Sequence, residues 1–314
     1  GSRTVPADRQ SPYHRISPLT THRKFDPTHD FEKVNQFLRD CYEPQNADGN
    51  WIQPIWDYSY YHGNTDLESL SNIGVWENQG QIVAVTVFGT DANDVCLCTL
   101  NSFQSLKPEM LEYAEQNLAR PDAEGNGALN VFVHESNIEL SEILRGAGYD
   151  RRECDRTFSH CDIPPSTAET ILPDGFELKS LEEDNDIRKI NKVMWRGFNH
   201  PGEPPDDHLP SRRRMQSSPN FRFDLTTVAV APNGDYASFC GMWYDTDNRF
   251  GYVEPVATDP DYRRQGLGKA TVMESMRKCR LLGAEVAYVW SDTPFYRSIG
   301  FGPLYKHHCW TKSV

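Results

Sequence analysis

The chain has 314 residues, enough for one large domain or two of ordinary size, and 38% of them are hydrophobic. A net charge of −13, from 32 basic and 45 acidic residues, makes nucleic acid and anionic membranes poor partners. No apolar run approaches the ~20 residues of a membrane-spanning helix. The first residues lack the basic-then-apolar layout of a signal peptide, and Gly1-Ser2 reads as a cleavage scar.

In chain order, residues 31–42 read as a helix. Residues 72–76 and 81–89 form a hairpin around Asn78-Gln79-Gly80. Residues 95–100 form a strand, 108–118 a helix, 129–133 a strand and 138–147 a helix. From Asp162 to Asp174 three prolines with Ser and Thr between them mark a linker. A strand at 175–181 and a helix at 182–198 follow, then a loop rich in proline and acid from Asn199 to Pro210. Strands at 225–230 and 237–244 flank the turn Pro232-Asn233-Gly234. Residues 250–258 are a strand, 268–282 a helix and 286–290 a strand. A short helix lies near 295–298, and residues 307–311 close the chain as a last strand. The order of the first half returns in the second, and Glu142–Tyr149 parallels Thr293–Phe301. We read an internal duplication of one α/β unit: 1–10 a flexible N-terminus with the scar, 11–163 the first unit, 164–173 the linker and 174–314 the second.

The charge is divided unequally between them. Residues 1–165 hold 13 Lys and Arg against 25 Asp and Glu, whereas 166–314 hold 19 against 20. The acidic half suits a cationic substrate or partner, and solubility explains the excess equally well. Eight cysteines without a C-x-x-C pair offer neither zinc spacing nor a disulfide framework, so a reduced, cytoplasmic protein without metal is expected. His307-His308-Cys309 does not change this, because alternation in a strand sends the two histidines to opposite faces. Arg212-Arg213-Arg214 reads as a solvated helix face.

The most informative stretch runs from Val253 to Ala270, V-E-P-V-A-T-D-P-D-Y-R-R-Q-G-L-G-K-A. A strand ends at Asp259-Pro260, a glycine-bearing turn follows, and a helix begins. Glycines let the backbone approach closely, and the free N–H groups of a helix start converge on one spot, an anion site. A Walker loop fails twice, with Arg263 at its first glycine and Ala270 at its Ser/Thr position. A dinucleotide fingerprint fails at Thr271. The pattern [QR]-x-x-G-x-[GA] is met in full by Arg263-x-x-Gly266-x-Gly268.

This stretch, with Phe295-Tyr296-x-x-x-Gly300-Phe301 some 25 residues later, resembles the GNAT acetyltransferase superfamily. The likeness covers most of residues 174–314. It implies an α/β fold with a mixed sheet, in two tandem GNAT-like domains, and acetyl-CoA as co-substrate. Main-chain groups of Val256 and Thr258, flanking Ala257, would pair with the pantetheine arm. The turn from Arg263 through Arg264, Gln265, Gly266, Leu267, Gly268 and Lys269 would hold the pyrophosphate. Tyr296 would protonate the departing thiolate. Many relatives carry an Asn where this chain has Ser291-Asp292, so Ser291 joins the expected cofactor contacts in its place.

Glu254 is the nominated base. Strand alternation would put it on one face with Val256 and Thr258. A carboxylate in a central strand needs a partner, and a structural anchor for neighbouring backbone explains it equally well. Pro255 implies irregular pairing. Glu203, Asp206 and Asp207 are alternative amine binders.

The first half lacks a glycine in Asn101–Pro108, after its own candidate cofactor strand, and is expected to be degenerate. Its segment Trp51–Tyr61 has five aromatic residues that either clasp a cation or pack between the halves. The expected activity is transfer of acetyl to a primary amine of a small, cationic acceptor (aminoglycoside-like, polyamine or amino sugar) in a ternary complex. Peptide N-acetylation and a non-catalytic acyl-CoA sensor are the alternatives.

Overall fold

The computed structural model describes residues 20–121, 125–165 and 170–314. The expected N-terminal segment 1–10 and the middle of the linker lie outside the described residues. The first half comprises β1 (Thr20–Lys24), α1 (Phe31–Cys41), α2 (Gln53–Tyr61), β2 (Gly74–Asn78), β3 (Gln81–Phe88), β4 (Asp94–Thr99), α3 (Lys107–Asn117), the two-residue β5 (Arg120–Pro121), β6 (Gly127–His134), α4 (Ile138–Gly146) and β7 (Asp150–Asp162). The second comprises β8 (Glu177–Ser180), α5 (Ile187–Gly197), α6 (Leu209–Gln216), β9 (Thr227–Val230), β10 (Tyr236–Asp245), β11 (Phe250–Thr258), α7 (Leu267–Leu281), β12 (Val286–Val289), α8 (Pro294–Ser298) and β13 (Gly302–Ser313). Apart from β5, the order of the first half repeats in the second.

Local chemistry explains where several boundaries fall. The helix expected from 182 starts at Ile187, because the Asp186 carboxylate accepts from the N–H groups of Arg188 and Lys189 and caps it. In α2, Pro54 occupies the first turn, where a missing N–H costs nothing. Ile52, Ile55, Trp56 and Tyr60 then bury one side of that helix. The basic run is helical, yet only Arg213 is exposed as a solvated face requires. Arg214 donates to the Tyr60 carbonyl at 2.7 Å, and its guanidinium lies over the Tyr61 ring.

The described strands form one mixed sheet in the order β1-β2-β3-β4-β6-β13-β7-β12-β11-β10-β9-β8, with β5 on β6. The two units exchange their last strands. The second unit's β13 pairs antiparallel with β6, from His307 opposite His134 to Ser313 opposite Ala128. The first unit's β7 pairs antiparallel with β12, from Val286 opposite Asp162 to Val289 opposite Ser159. At the join Phe158 of β7 stacks between Tyr288 and Tyr305, with centroids 5.1 and 5.0 Å away. The core cluster that holds Trp56 and Val85 therefore also holds Phe250, Tyr252 and Tyr288. Each such aromatic side chain contributes about 1.5–3 kcal/mol by leaving water.

Polar ties cross the same join. The hydroxyls of Tyr42 and Tyr288 lie 2.7 Å apart. Asp57 of α2, fully buried, accepts from Ser218 Oγ at 2.5 Å, Asn220 Nδ2 at 2.7 Å and Gln53 Nε2 at 3.0 Å. Burial pushes its pKa up to about 6 against these donors. The network locks α2 beside α6 and β10. Asp57→Ala strands three donors in the interior and is expected to lower stability by about 2–3 kcal/mol. Urea unfolding of the full chain measures it, and a change below about 0.5 kcal/mol would contradict a structural role.

Candidate active site

Strand β11 runs parallel to β12 for only two residue pairs, Gly251 with Ala287 and Tyr252 with Tyr288. Beyond them the strands part, and the β12-facing edge of β11 from Val253 to Thr258 has no strand partner among the described residues. An extended, amide-bearing ligand can add to such an edge by main-chain hydrogen bonds. The end of β11 leads into the glycine turn. Arg264 (φ 63°) and Gly266 (φ 80°) both take left-handed backbone, with Gly266 at the N-cap of α7. Gly268 packs so closely on Thr258 and Phe295 that a Cβ there would lie 3.0–3.3 Å from their side-chain atoms.

The first N–H groups of α7 have no partner within the helix and carry its positive end. Arg264, Gln265 and Lys269 are exposed beside them, while Leu267 is buried beneath. Arg263 is committed elsewhere: it donates to the carbonyls of Thr258 and Gly197 and to Asn199 Oδ1, at 2.9–3.2 Å. Arg196 holds Asp259 through two bonds of 2.6 and 3.1 Å and Asp261 through a third of 2.7 Å. The turn is thereby pinned to the end of α5. Near Ser291, Asp292 is held bidentately by Arg297.

Opposite the open edge, β11 pairs with β10 through a bulge. Cys240 faces Val256 and Met242 faces Val253, so Glu254 and Pro255 together face Gly241. A Cβ on Gly241 would lie 2.3 Å from the Glu254 carbonyl oxygen, which only glycine avoids. The same carbonyl accepts from Trp243 Nε1 at 3.0 Å. The extra residue corrects the expected face. Val253 and Val256 pack toward α7 with Val272 and Met276, whereas Ala257 packs toward α5. Glu254 turns to that α5 side, away from Val256, and lines a cavity there with Ile190, Met194 and Phe239. Bulges re-aim side chains in this way beside functional sites.

The cavity has a volume of about 480 Å³, within the range of small-molecule sites. The second half supplies its hydrophobic walls, among them Met194, Phe221, Phe239 and Trp243, together with Glu254, Arg212 and two histidines, His200 and His208. From the first half come Tyr58, His62, Gly63 and Asn64. Burial raises the Glu254 carboxyl to about 7, against the opposing effect of the Tyr58 hydroxyl that faces it. Burial lowers His62, reinforced by the Arg212 charge. Tyr296, in the neighbouring cluster with Phe295 and Phe301, is pushed well above the usual phenol range by burial and by the Glu254 charge.

Several expectations change here. The acidic surplus of the first half does not enter the cavity. Glu203, Asp206 and Asp207 are not among its lining residues, and Asp206 pairs with Arg188 at 2.7 Å on the surface. His307 is buried against Trp290 and Tyr305, and desolvation drives its pKa down to about 3. The aromatic segment divides its work: Trp51, Trp56 and Tyr60 pack in the core, while Tyr58 faces the cavity. Arg212 reads in sequence as part of a basic run, and only its three-dimensional place sets it at the cavity.

The first half repeats the strand divergence in another form. Strands β4 and β6 also pair for two residues, Asp94 with Asn130 and Val95 with Val131. The opened edge of β4 is filled from within. Asn50 Nδ2 donates to the Thr99 carbonyl and Asn50 Oδ1 accepts from the Thr99 N–H, both at 3.0 Å.

Residues 186–301 match the model of the Acetyltransferase (GNAT) family. No sequence among curated proteins matches the chain. Solved structures similar in fold include a GCN5-related N-acetyltransferase from Sphaerobacter thermophilus, at TM-score 0.61 and 14% identity over 95% of this chain and 96% of that one. A tandem GNAT protein from the clavulanic acid biosynthesis pathway gives 0.62 and 14% over 93% and 98%. The N-myristoyltransferase of Saccharomyces cerevisiae gives 0.55 and 11% over 98% and 85%.

Gly266→Val would force a β-branched residue to φ 80°, a strain of about 1–2 kcal/mol that the turn relieves by relaxing. Acetyl-CoA affinity measured by calorimetry is expected to fall about tenfold or more. Unchanged affinity would remove this turn from the cofactor site.

Proposed function

From the match of residues 186–301 to the model of the Acetyltransferase (GNAT) family, we propose that the chain moves acetyl from acetyl-CoA directly to the primary amine of a small acceptor held between its halves. The observation that carries this reading is Glu254, a carboxylate re-aimed by a bulge into a cavity lined by both halves, with a pKa raised to about 7.

Bound acetyl-CoA supplies an activated thioester, and the edge from Val256 to Thr258 with the main chain of 264–269 is suited to hold it. Glu254 accepts the proton that the acceptor must lose. A base near pKa 7 is substantially ionised at neutral pH and still basic enough to take that proton. Tyr296, weakened as an acid, stays protonated throughout the physiological range and donates to the sulfur as its bond to carbon breaks. One C–N bond forms, one C–S bond breaks, and a proton passes at each end.

No enzyme nucleophile is required. Cys240, which feels Tyr296 and Glu254, is buried with its thiol pushed up to about 12 and is a poor one. The first half serves as a wall of the acceptor site and does not itself bind acetyl-CoA, which the filling of its opened edge by Asn50 supports. A cationic acceptor keeps support in one respect: Glu254 is the carboxylate among the cavity's lining residues and receives an ammonium. The units 11–163 and 174–314, and a cytoplasmic location, are part of the same proposal.

Two measurements test it. The rate kcat should rise with pH at unit slope to an apparent pKa near 7, because only ionised Glu254 accepts the proton, and Glu254→Gln should abolish that limb. Tyr296→Phe should lower kcat about a hundredfold with acetyl-CoA affinity unchanged. A limb that persists in Glu254→Gln, or full turnover in Tyr296→Phe with chemistry limiting, would reject the respective assignment.

A further inference from the structure

Arg212 on α6 lines the cavity, and no carboxylate among the described residues comes within 4 Å of its guanidinium. Its Nε donates to Asn191 Oδ1 at 3.1 Å. Asn191 is itself buried, so the guanidinium is tied back on one side. The terminal nitrogens, the two-pronged side of the fork, have no hydrogen bond to protein among the described residues. Its neighbours differ: Arg214 is engaged with Tyr60 and Tyr61, and Arg213 is exposed to solvent. A desolvated cation without a counter-charge is costly, and burial weakens Arg212 accordingly.

The carboxylate among the cavity's lining residues is Glu254. Glu254, Arg212 and Tyr58 all line this one cavity of about 480 Å³, so a single small molecule bound in it meets both charged groups. Hydrophobic walls of Met194, Met215, Phe221, Phe239 and Trp243 complete the surface.

Resting on the transfer reading above, we propose that the acceptor is an amino acid: its amine faces Glu254, its carboxylate docks on the Arg212 fork, and an apolar body lies against the aromatic walls. A guanidinium matches a carboxylate bidentately, which supplies direction as well as charge. The match is also one to one. Ammonium meets Glu254 and carboxylate meets Arg212, so no charge is left over in the cavity. A polyamine or aminoglycoside would instead bring further cations against Arg212, and a doubly charged phosphate would bring an excess anion. The class is thus narrower than a cationic small molecule and opposite to it at one end.

The test uses the full chain saturated with CoA and matched acceptors that share a body: phenylalanine, phenylalaninamide and 2-phenylethylamine, then the corresponding leucine and tryptophan sets. Calorimetry reads binding, and thiol release from acetyl-CoA reads transfer. In at least one set the amino acid is expected to bind about tenfold or more tighter than its amide and its decarboxylated amine. Arg212→Gln should bring that ratio close to one, and Arg212→Lys, which keeps the charge but not the fork, should retain part of it. Equal affinities within every set, no binding by any amino acid, or a ratio unchanged in Arg212→Gln would each overturn the inference. Thiol release separates this result from the underlying reading. A carboxylate preference without release keeps the inference and rejects transfer. Release with polyamines or aminoglycosides and no carboxylate preference keeps transfer and rejects the inference.

Discussion

The exchange of terminal strands is the constraint on which the rest of the structure depends. With β13 seated between β6 and β7, and β7 between β13 and β12, neither half completes its sheet without the other. The join fixes the two units in one orientation, and that orientation lays α2 of the first against α6 and β10 of the second. The cavity exists because of this placement. Its hydrophobic walls and Glu254 come from the second half, and Tyr58 and His62 come from the first.

The two copies of the unit differ in small ways at equivalent places. Both parallel strand pairs separate after two residues. In the second half the ladder between β10 and β11 is broken at Gly241, where the Glu254–Pro255 bulge fits against a residue without a side chain. In the first half the equivalent ladder between β3 and β4 runs regularly from Phe88 opposite Val95 to Ala84 opposite Thr99. Thr86 stands where Gly241 stands and spends its hydroxyl on the N–H of Gly74 at 2.7 Å. Asn50 then occupies the edge that the second half leaves open. At these equivalent places the second half has a bulge, an open edge and a glycine turn, and the first half has a regular ladder and an edge filled by Asn50.

The parts of this arrangement visible in the sequence are those that depend on near neighbours. The turn Arg263–Lys269 is legible because glycine at a helix start has few other uses, and Tyr296 because it follows at fixed spacing. Glu254 stands out as a carboxylate inside an apolar strand. The face it occupies does not, because strict alternation fails at a bulge and the bulge depends on Gly241, thirteen positions earlier. The strand exchange has no local signal at all: β7 and β13 read as ordinary strands, or go unread, whichever unit they complete. Arg212 is indistinguishable from Arg213 in sequence, and only the packing of α6 against α2 sends one to the cavity and the other to water. The acidity of the first half suits a cationic partner, yet its carboxylates are not among the cavity's lining residues, and Tyr58 is the residue of that half that faces Glu254.

On the proposed mechanism, Tyr58 of the first half tunes Glu254 of the second. The most direct measurement is the pH dependence of kcat in Tyr58→Phe beside the unaltered chain. The Tyr58 hydroxyl favours ionised Glu254, so its removal should move the rising limb to higher pH by up to about one unit. Activity should recover above the new midpoint. A folded Tyr58→Phe variant whose limb stays where it was would contradict the composite site, and would leave the first half as scaffold alone.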